Sequence, residues 1–350
     1  MPSLKTRTNT YKPALAWFCM VALVWTTFLL YAGGFTTSIQ AGMAFLDWPL
    51  SHGSVNPEGW IQDRDMRAEH SHRLLGTFVG MLTLTLCLWL YLRESRRNVR
   101  ILGFGAIFLV ILQGALGGAR VLYDQLNTLS DHNMMAQTFA IAHACLAQIF
   151  VCLLVMIAAS TSRSGIRRSH EKEKPHLPGA VRFWAVTGTI AIFLQLIVGA
   201  IMRHNHAGLA IPSFPWSTAD GGLLPALWSF HVSIHFAHRV GAILVTLAIV
   251  ILCVRIWRSP EARRVLGTSA SALFALVLVQ FALGALTVLT TKNPHVATLH
   301  VIFGAFLLAT CWLVTFISYQ FPIKVTAEAR AAYPARSASG AAVQGRKVNA

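Results

Sequence analysis

Fourteen histidines stand in this chain of 350 residues. Four of them, His72, His143, His238 and His300, lie near the beginning of long apolar runs, where an ionisable side chain is costly and marks function. A neutral imidazole offers one nitrogen lone pair to a metal. Two imidazoles from separate helices, with no cysteine or carboxylate recurring beside them in both halves, suit the two axial positions of a haem iron. Zinc or copper would call for three or four converging ligands. Arg73 and Arg239 directly follow His72 and His238. A guanidinium matches a carboxylate bidentately, so a haem with its propionates turned outward could use both. Adjacent helical residues point in different directions, however, so these arginines could instead serve the bundle edge. Three residues before His72 stands Glu69, on the same helix face, whereas the equivalent position before His238 is His235. A carboxylate beside one pair and an imidazole beside the other implies two sites with different roles.

The elements that must position these residues are membrane spans. Hydrophobic residues make up 55% of the chain and charged ones only 12%, about half the charged share of a soluble domain. Spanning the hydrocarbon takes roughly 20 apolar residues as a helix. Eight runs qualify, near 14–34, 70–92, 101–121, 137–159, 181–202, 234–256, 268–290 and 297–319. All but seven of the 29 Lys and Arg residues fall on one side of these spans, which puts both termini in the cytoplasm of a multi-pass plasma (inner) membrane protein. The net charge of +16 is therefore explained by topology and excludes a nucleic-acid reading. All six cysteines lie inside apolar runs without a CxxC pair, so neither a disulfide framework nor a cysteine metal site is expected.

The chain repeats itself. Ala41-Gly42-Met43-Ala44 followed by Trp48-Pro49 aligns with Ala207-Gly208-Leu209-Ala210 followed by Phe214-Pro215, and Gly33 with Gly199 and His72-Arg73 with His238-Arg239 fall on the same offset. Gln113 and Ala115-Leu116-Gly117 match Gln280 and Ala282-Leu283-Gly284, and His143 matches His300. The expected fold is an all-α membrane protein of eight transmembrane helices, arranged as two parallel-repeat four-helix bundles of the kind that accept cofactors liganded from facing helices. The expected units are 1–165, 178–320 and a disordered cytoplasmic tail, 321–350, with a basic linker over Ser160–Pro178 between the halves. Gly33-Gly34, Gly117-Gly118, Gly199 and Gly284 are candidates for close helix or cofactor approach. The tryptophans of the external loops, among them Trp48, Trp60, Trp216 and Trp228, read as interfacial anchors.

Glu69-His70-Ser71-His72-Arg73, His143, His235-Phe236-Ala237-His238-Arg239 and Thr298-Leu299-His300 together resemble the haem A synthase family. Leu112-Gln113-Gly114-Ala115-Leu116-Gly117-Gly118, Met202-Arg203-His204 and Gly284-Ala285-Leu286-Thr287-Val288-Leu289 reinforce the resemblance, which covers roughly residues 14 to 319. It implies an oxidoreductase that converts the ring-position-8 methyl of haem O into the formyl group of haem A for terminal oxidases. In family terms the second half holds haem b through His238 and His300. The first half holds the substrate haem through His72 and His143, with Glu69 as the essential carboxylate. Many bacterial members carry a cysteine pair in the first external loop, but none stands here between Cys19 and Cys87. The implied partners are haem O, handed over by haem O synthase, an electron acceptor not named by the sequence, and the bilayer; homo-oligomerisation is left open. The residues alone also admit a non-enzymatic di-haem b-type electron carrier or a membrane haem chaperone.

Overall fold

The computed structural model describes residues 9–125 and 133–324. In chain order its helices are α1 (Pro13–Ser38), α2 (Arg64–Arg93), α3 (Arg97–Gln125), α4 (Met134–Thr161), α5 (Arg163–His170), α6 (Gly179–His204), α7 (Phe230–Arg258), α8 (Pro260–Leu289) and α9 (Pro294–Ser318). All but α5 are long and apolar enough to cross a membrane, and the chain is a multi-pass membrane protein. Hydrocarbon offers no hydrogen bonds, so a spanning segment must satisfy its own backbone, and the helix does so internally.

Helix starts follow local chemistry rather than the apolar pattern alone. The apolar run begins near residue 70, yet α2 begins at Arg64 because the Asp63 carboxylate accepts from the Asp65 and Met66 amides at 2.9 and 2.8 Å. Asn133, Ser229, Ser259 and Asn293 cap α4, α7, α8 and α9 in the same way. Proline opens α1, α8 and α9, where its missing N–H costs nothing. Within the linker after Ser160, the Ser162 hydroxyl accepts from the Gly165 amide at 3.0 Å and Ile166 is buried. That cap makes α5 a short helix in a segment whose sequence reads as a loop.

α1 packs on α2 and α4, and α3 packs on the same two helices, closing a ring of four. α6 and α8 each pack on α7 and α9, closing a second ring. The rings meet where α9 lies on α1 and α4, and where α4 touches α6. Accordingly α9 buries more of itself than any other span. One apolar core, including Leu86, Leu90, Leu154 and Ile157, fills the first ring, and another, including Ile249, Leu252, Leu273 and Cys311, fills the second.

The segment expected to be disordered from residue 321 is fixed at its beginning. Phe321 is buried, and Ile323–Lys324 pairs in parallel with Leu177–Pro178. Arg182 holds the turn by donating to the Ser318 and Phe321 carbonyls at 3.1 and 2.7 Å. The rest of the expected tail, 325–350, lies outside the described residues.

The turn between α2 and α3 is held by charge. Glu94 is buried and takes Nε and Nη2 of Arg96 on its two oxygens at 2.9 and 3.0 Å. Nη2 of Arg96 also donates to the Ser160 carbonyl at 3.0 Å, tying this turn to the end of α4. Burial pushes the Glu94 carboxyl up, but the Arg96 side chain and amide outweigh it, so its pKa lies below the usual carboxylate value. A depressed folded pKa contributes stability above the unfolded value and loses it as pH falls through the folded one. Glu94→Ala is expected to cost about 2–3 kcal/mol at neutral pH, read as a lower thermal midpoint in detergent, with the difference from wild type shrinking below about pH 4. Arg97→Ala, at an exposed position, should leave the midpoint unchanged.

Candidate functional site

Each of the four histidines meets a glycine of the neighbouring helix. His72 on α2 lies against Gly33 of α1, and His143 on α4 against Gly117 of α3. His238 on α7 lies against Gly199 of α6, and His300 on α9 against Gly284 of α8. A methyl added to these glycines would stand 2.6, 3.3, 3.0 and 3.1 Å from the ring Cε1 atoms, respectively. Those separations are at or inside van der Waals contact, so only glycine leaves the rings room. Four residues before Gly117 and Gly199, one helical turn, comes a partner for Nδ1 of the ring. Nδ1 of His143 meets the Gln113 carbonyl at 3.1 Å. Nδ1 of His238 lies 3.0 Å from the Gln195 amide, which also donates to the His238 carbonyl at 2.7 Å.

The rings approach one another in two pairs. The His72 and His143 centroids are 6.5 Å apart with planes at 88°, and those of His238 and His300 are 6.3 Å apart at 74°. A metal bound to one nitrogen of each ring at about 2.0 Å, with each ring centre about 1.1 Å further out, requires roughly 6.2 Å between centres. Both pairs match that span. Nδ1 of His72 and of His300 is buried without a hydrogen bond of good geometry. Among the described residues no three His, Cys, Asp or Glu converge into a metal cluster. Paired imidazoles spaced for one ion and backed by glycine fit a haem iron whose remaining four ligands come from the porphyrin.

Outward of the two pairs, the repeat continues in the loop attachments. Glu69 is buried; Oε2 accepts from the Phe45 amide at 3.1 Å and Oε1 from Nη2 of Arg73 at 2.5 Å. Arg73 also donates to the Phe45, Asp47 and Leu50 carbonyls at 3.2, 2.7 and 2.5 Å. In the second half, Nδ1 of His235 accepts from the Ile211 amide at 3.2 Å, and Nε of Arg239 points at its Nε2 at 3.3 Å. Arg239 donates to the Ile211, Ser213 and Trp216 carbonyls at 3.0, 2.6 and 3.2 Å. These three carbonyls are the repeat equivalents of those bound by Arg73. Both arginines thus spend their donors fastening the external loops at the bundle edge. The first loop is further shaped by Asp47, which accepts from the His52 and Gly53 amides at 2.8 and 2.7 Å. Burial raises that carboxyl, but the two amides and nearby Arg73 outweigh it and hold its pKa below the usual range.

Sequence reasoning passed over two kinds of residue here. Gln195 supports His238 directly, and its spacing of one turn before Gly199 repeats that of Gln113 before Gly117. Arg203, noted only as part of a string, reaches from α6 to α1, donating through Nη2 to the Gly34 carbonyl at 2.5 Å and the Ser38 hydroxyl at 2.7 Å. Its repeat equivalent, Thr37, bonds only within its own helix, to the Gly33 carbonyl at 3.0 Å, so the repeat gives no hint of it.

Known proteins resemble this chain. A protein described as heme A synthase from Symbiobacterium thermophilum is 31% identical over 289 residues, covering 80% of this chain and 88% of its own. Another of the same description from Geobacillus thermodenitrificans is 29% identical over 296 residues, 83% of this chain and 87% of its own. One from Staphylococcus aureus is 26% identical over 302 residues, 85% and 92% of the two chains. The family model described as cytochrome oxidase assembly protein matches residues 64–312, a stretch that holds all four paired histidines, Glu69 and His235. The chain belongs to the COX15-CtaA family of cytochrome oxidase assembly proteins.

Proposed function

We propose that the chain oxidises the ring-position-8 methyl of haem O to a formyl group, giving haem A for terminal-oxidase assembly. In this reading the N-terminal unit, 1–165, takes haem O between His72 and His143. The C-terminal unit, 178–320, holds a resident haem b between His238 and His300. When bound, haem b supplies a one-electron couple next to the substrate site. One observation carries the assignment: the two imidazole pairs are built alike down to their glycine contacts, yet differ at Glu69 and His235. A carrier with two equivalent haems has no use for that difference.

The chain's own residues then divide the work. His72 and His143 fix the substrate, with Gly33 and Gly117 allowing the rings to stand where they do. Glu69, one turn outward of His72, is held by the Phe45 amide and Arg73. Converting the methyl to a formyl group takes up one water and releases four electrons and four protons; a fixed carboxylate stabilises the positive charge that develops, and the water that adds loses its protons to a nearby base. Arg73 and Arg239 act as positioning residues, each keeping an external loop over its site. Haem O comes from haem O synthase, electrons pass on to a separate acceptor, and both termini face the cytoplasm of the plasma (inner) membrane.

Two measurements test this assignment. Replacing His238 or His300 with Ala should abolish the low-spin b-type spectrum of the purified protein. Replacing His72 or His143 should leave that spectrum and stop haem A formation. Equal loss of both signals in all four variants would contradict two specialised sites. Glu69→Gln, nearly isosteric, should keep haem binding yet lower the haem A to haem O ratio in membranes at least a hundredfold. A purely structural Glu69 predicts a wild-type ratio at slightly reduced stability.

A further inference from the structure

With Arg73 and Arg239 committed to the loops, a further cation in reach of the second imidazole pair is Arg203. It lies one turn, about 6 Å, outward of Gly199, the glycine that receives His238. Through Ser38 it reaches Thr298, on the helix that carries His300. Its side chain is largely enclosed, and among the described residues no carboxylate stands within ion-pair distance of it. Burying a guanidinium without a counter-ion is expensive. Nη2 is occupied by the Gly34 carbonyl and the Ser38 hydroxyl. Nε and Nη1 carry no hydrogen bond among the described residues, and each can donate singly to a carboxylate oxygen.

The anchor on α1 is itself built. A methyl on Gly34 would stand 3.2 Å from Cγ2 of Thr298, and Ser38 Oγ lies 3.0 Å from Thr298 Oγ1. Thr298 is fully buried and precedes His300 by two residues. One side of Arg203 is therefore fixed by the first half of the molecule, through the helix whose Gly33 receives His72. One turn before it on α6, Gly199 receives His238 of the second half.

We propose that Arg203 is the charge partner of a carboxylate on the group held between His238 and His300, and that α1 orients it for that contact through Gly34 and Ser38. This rests on the haem reading above, which places a ligand with carboxylate side chains there. Losing a charge-assisted hydrogen bond weakens binding about tenfold or more.

The test uses the purified full chain with its resident haem, read by haem transfer to apomyoglobin and by the haem midpoint potential. Arg203→Gln should release haem about tenfold faster or more and lower the midpoint potential, because a cation beside the iron favours the reduced state. Arg203→Lys keeps the charge but cannot bond α1 and a carboxylate through separate nitrogens, and should release haem faster while holding the potential near wild type. Ser38→Ala removes an anchor but no charge and should leave the potential unchanged. Wild-type release and potential in Arg203→Gln would overturn the proposal while leaving the haem reading intact. A wild-type chain that holds no haem between His238 and His300 would overturn both.

Discussion

An imidazole that is to ligate a metal inside a bilayer must be held from behind, because neither water nor a rigid loop is available to fix it. Here the hold is a glycine on the facing helix, which brings the ring against bare backbone. At Gly117 and Gly199 the residue one turn earlier on that helix also reaches Nδ1. The glycine contact occurs four times, at Gly33, Gly117, Gly199 and Gly284. It sets which helices must be neighbours, how closely they approach and at what depth. The order of contacts around each ring of four helices follows, since α1 must carry Gly33 to α2, and α3 must carry Gly117 to α4. The ring separations of 6.5 and 6.3 Å are those that a single ion bridges.

On top of this shared frame the two halves diverge by a few side chains. The loop fastening is the same in both: an amide from the loop meets position 69 or 235, and an arginine one turn later gathers three loop carbonyls. What differs is that Glu69 brings a negative charge and His235 brings a lone pair. A frame that fixes geometry so closely lets one substitution change the electrostatics of a site without moving its ligands. Arg203 is a second divergence of the same kind, a long cation standing where the first half has Thr37.

Much of this was legible in the residues. Eight apolar runs, the duplicated histidines and the Glu69 to His235 difference required only periodicity and self-comparison, because membrane burial imposes strong patterns. The glycines could be marked as close-approach points, but not assigned to particular rings, since that depends on which helices become neighbours. Arg73 and Arg239 show the limit most clearly. Their position beside the histidines suggested a ligand contact, whereas their carbonyl partners come from an irregular loop more than twenty residues earlier, and no pattern of side chains announces a backbone acceptor. The beginning of α2 at Arg64 was hidden for a related reason, a polar first turn stabilised by the Asp63 cap rather than by apolar surface. Phe321 to Lys324 looked like the head of a tail because two-residue pairing with Leu177–Pro178 leaves no periodic trace.

The central claim is that two imidazole pairs of one design hold two different haems. The most direct measurement is a census of haems extracted from the purified full chain, counted per polypeptide and separated by type. The account predicts one haem b per chain, together with haem O or haem A filling up to one further site. Two haem b per chain with neither haem O nor haem A, or a metal without porphyrin, would contradict it.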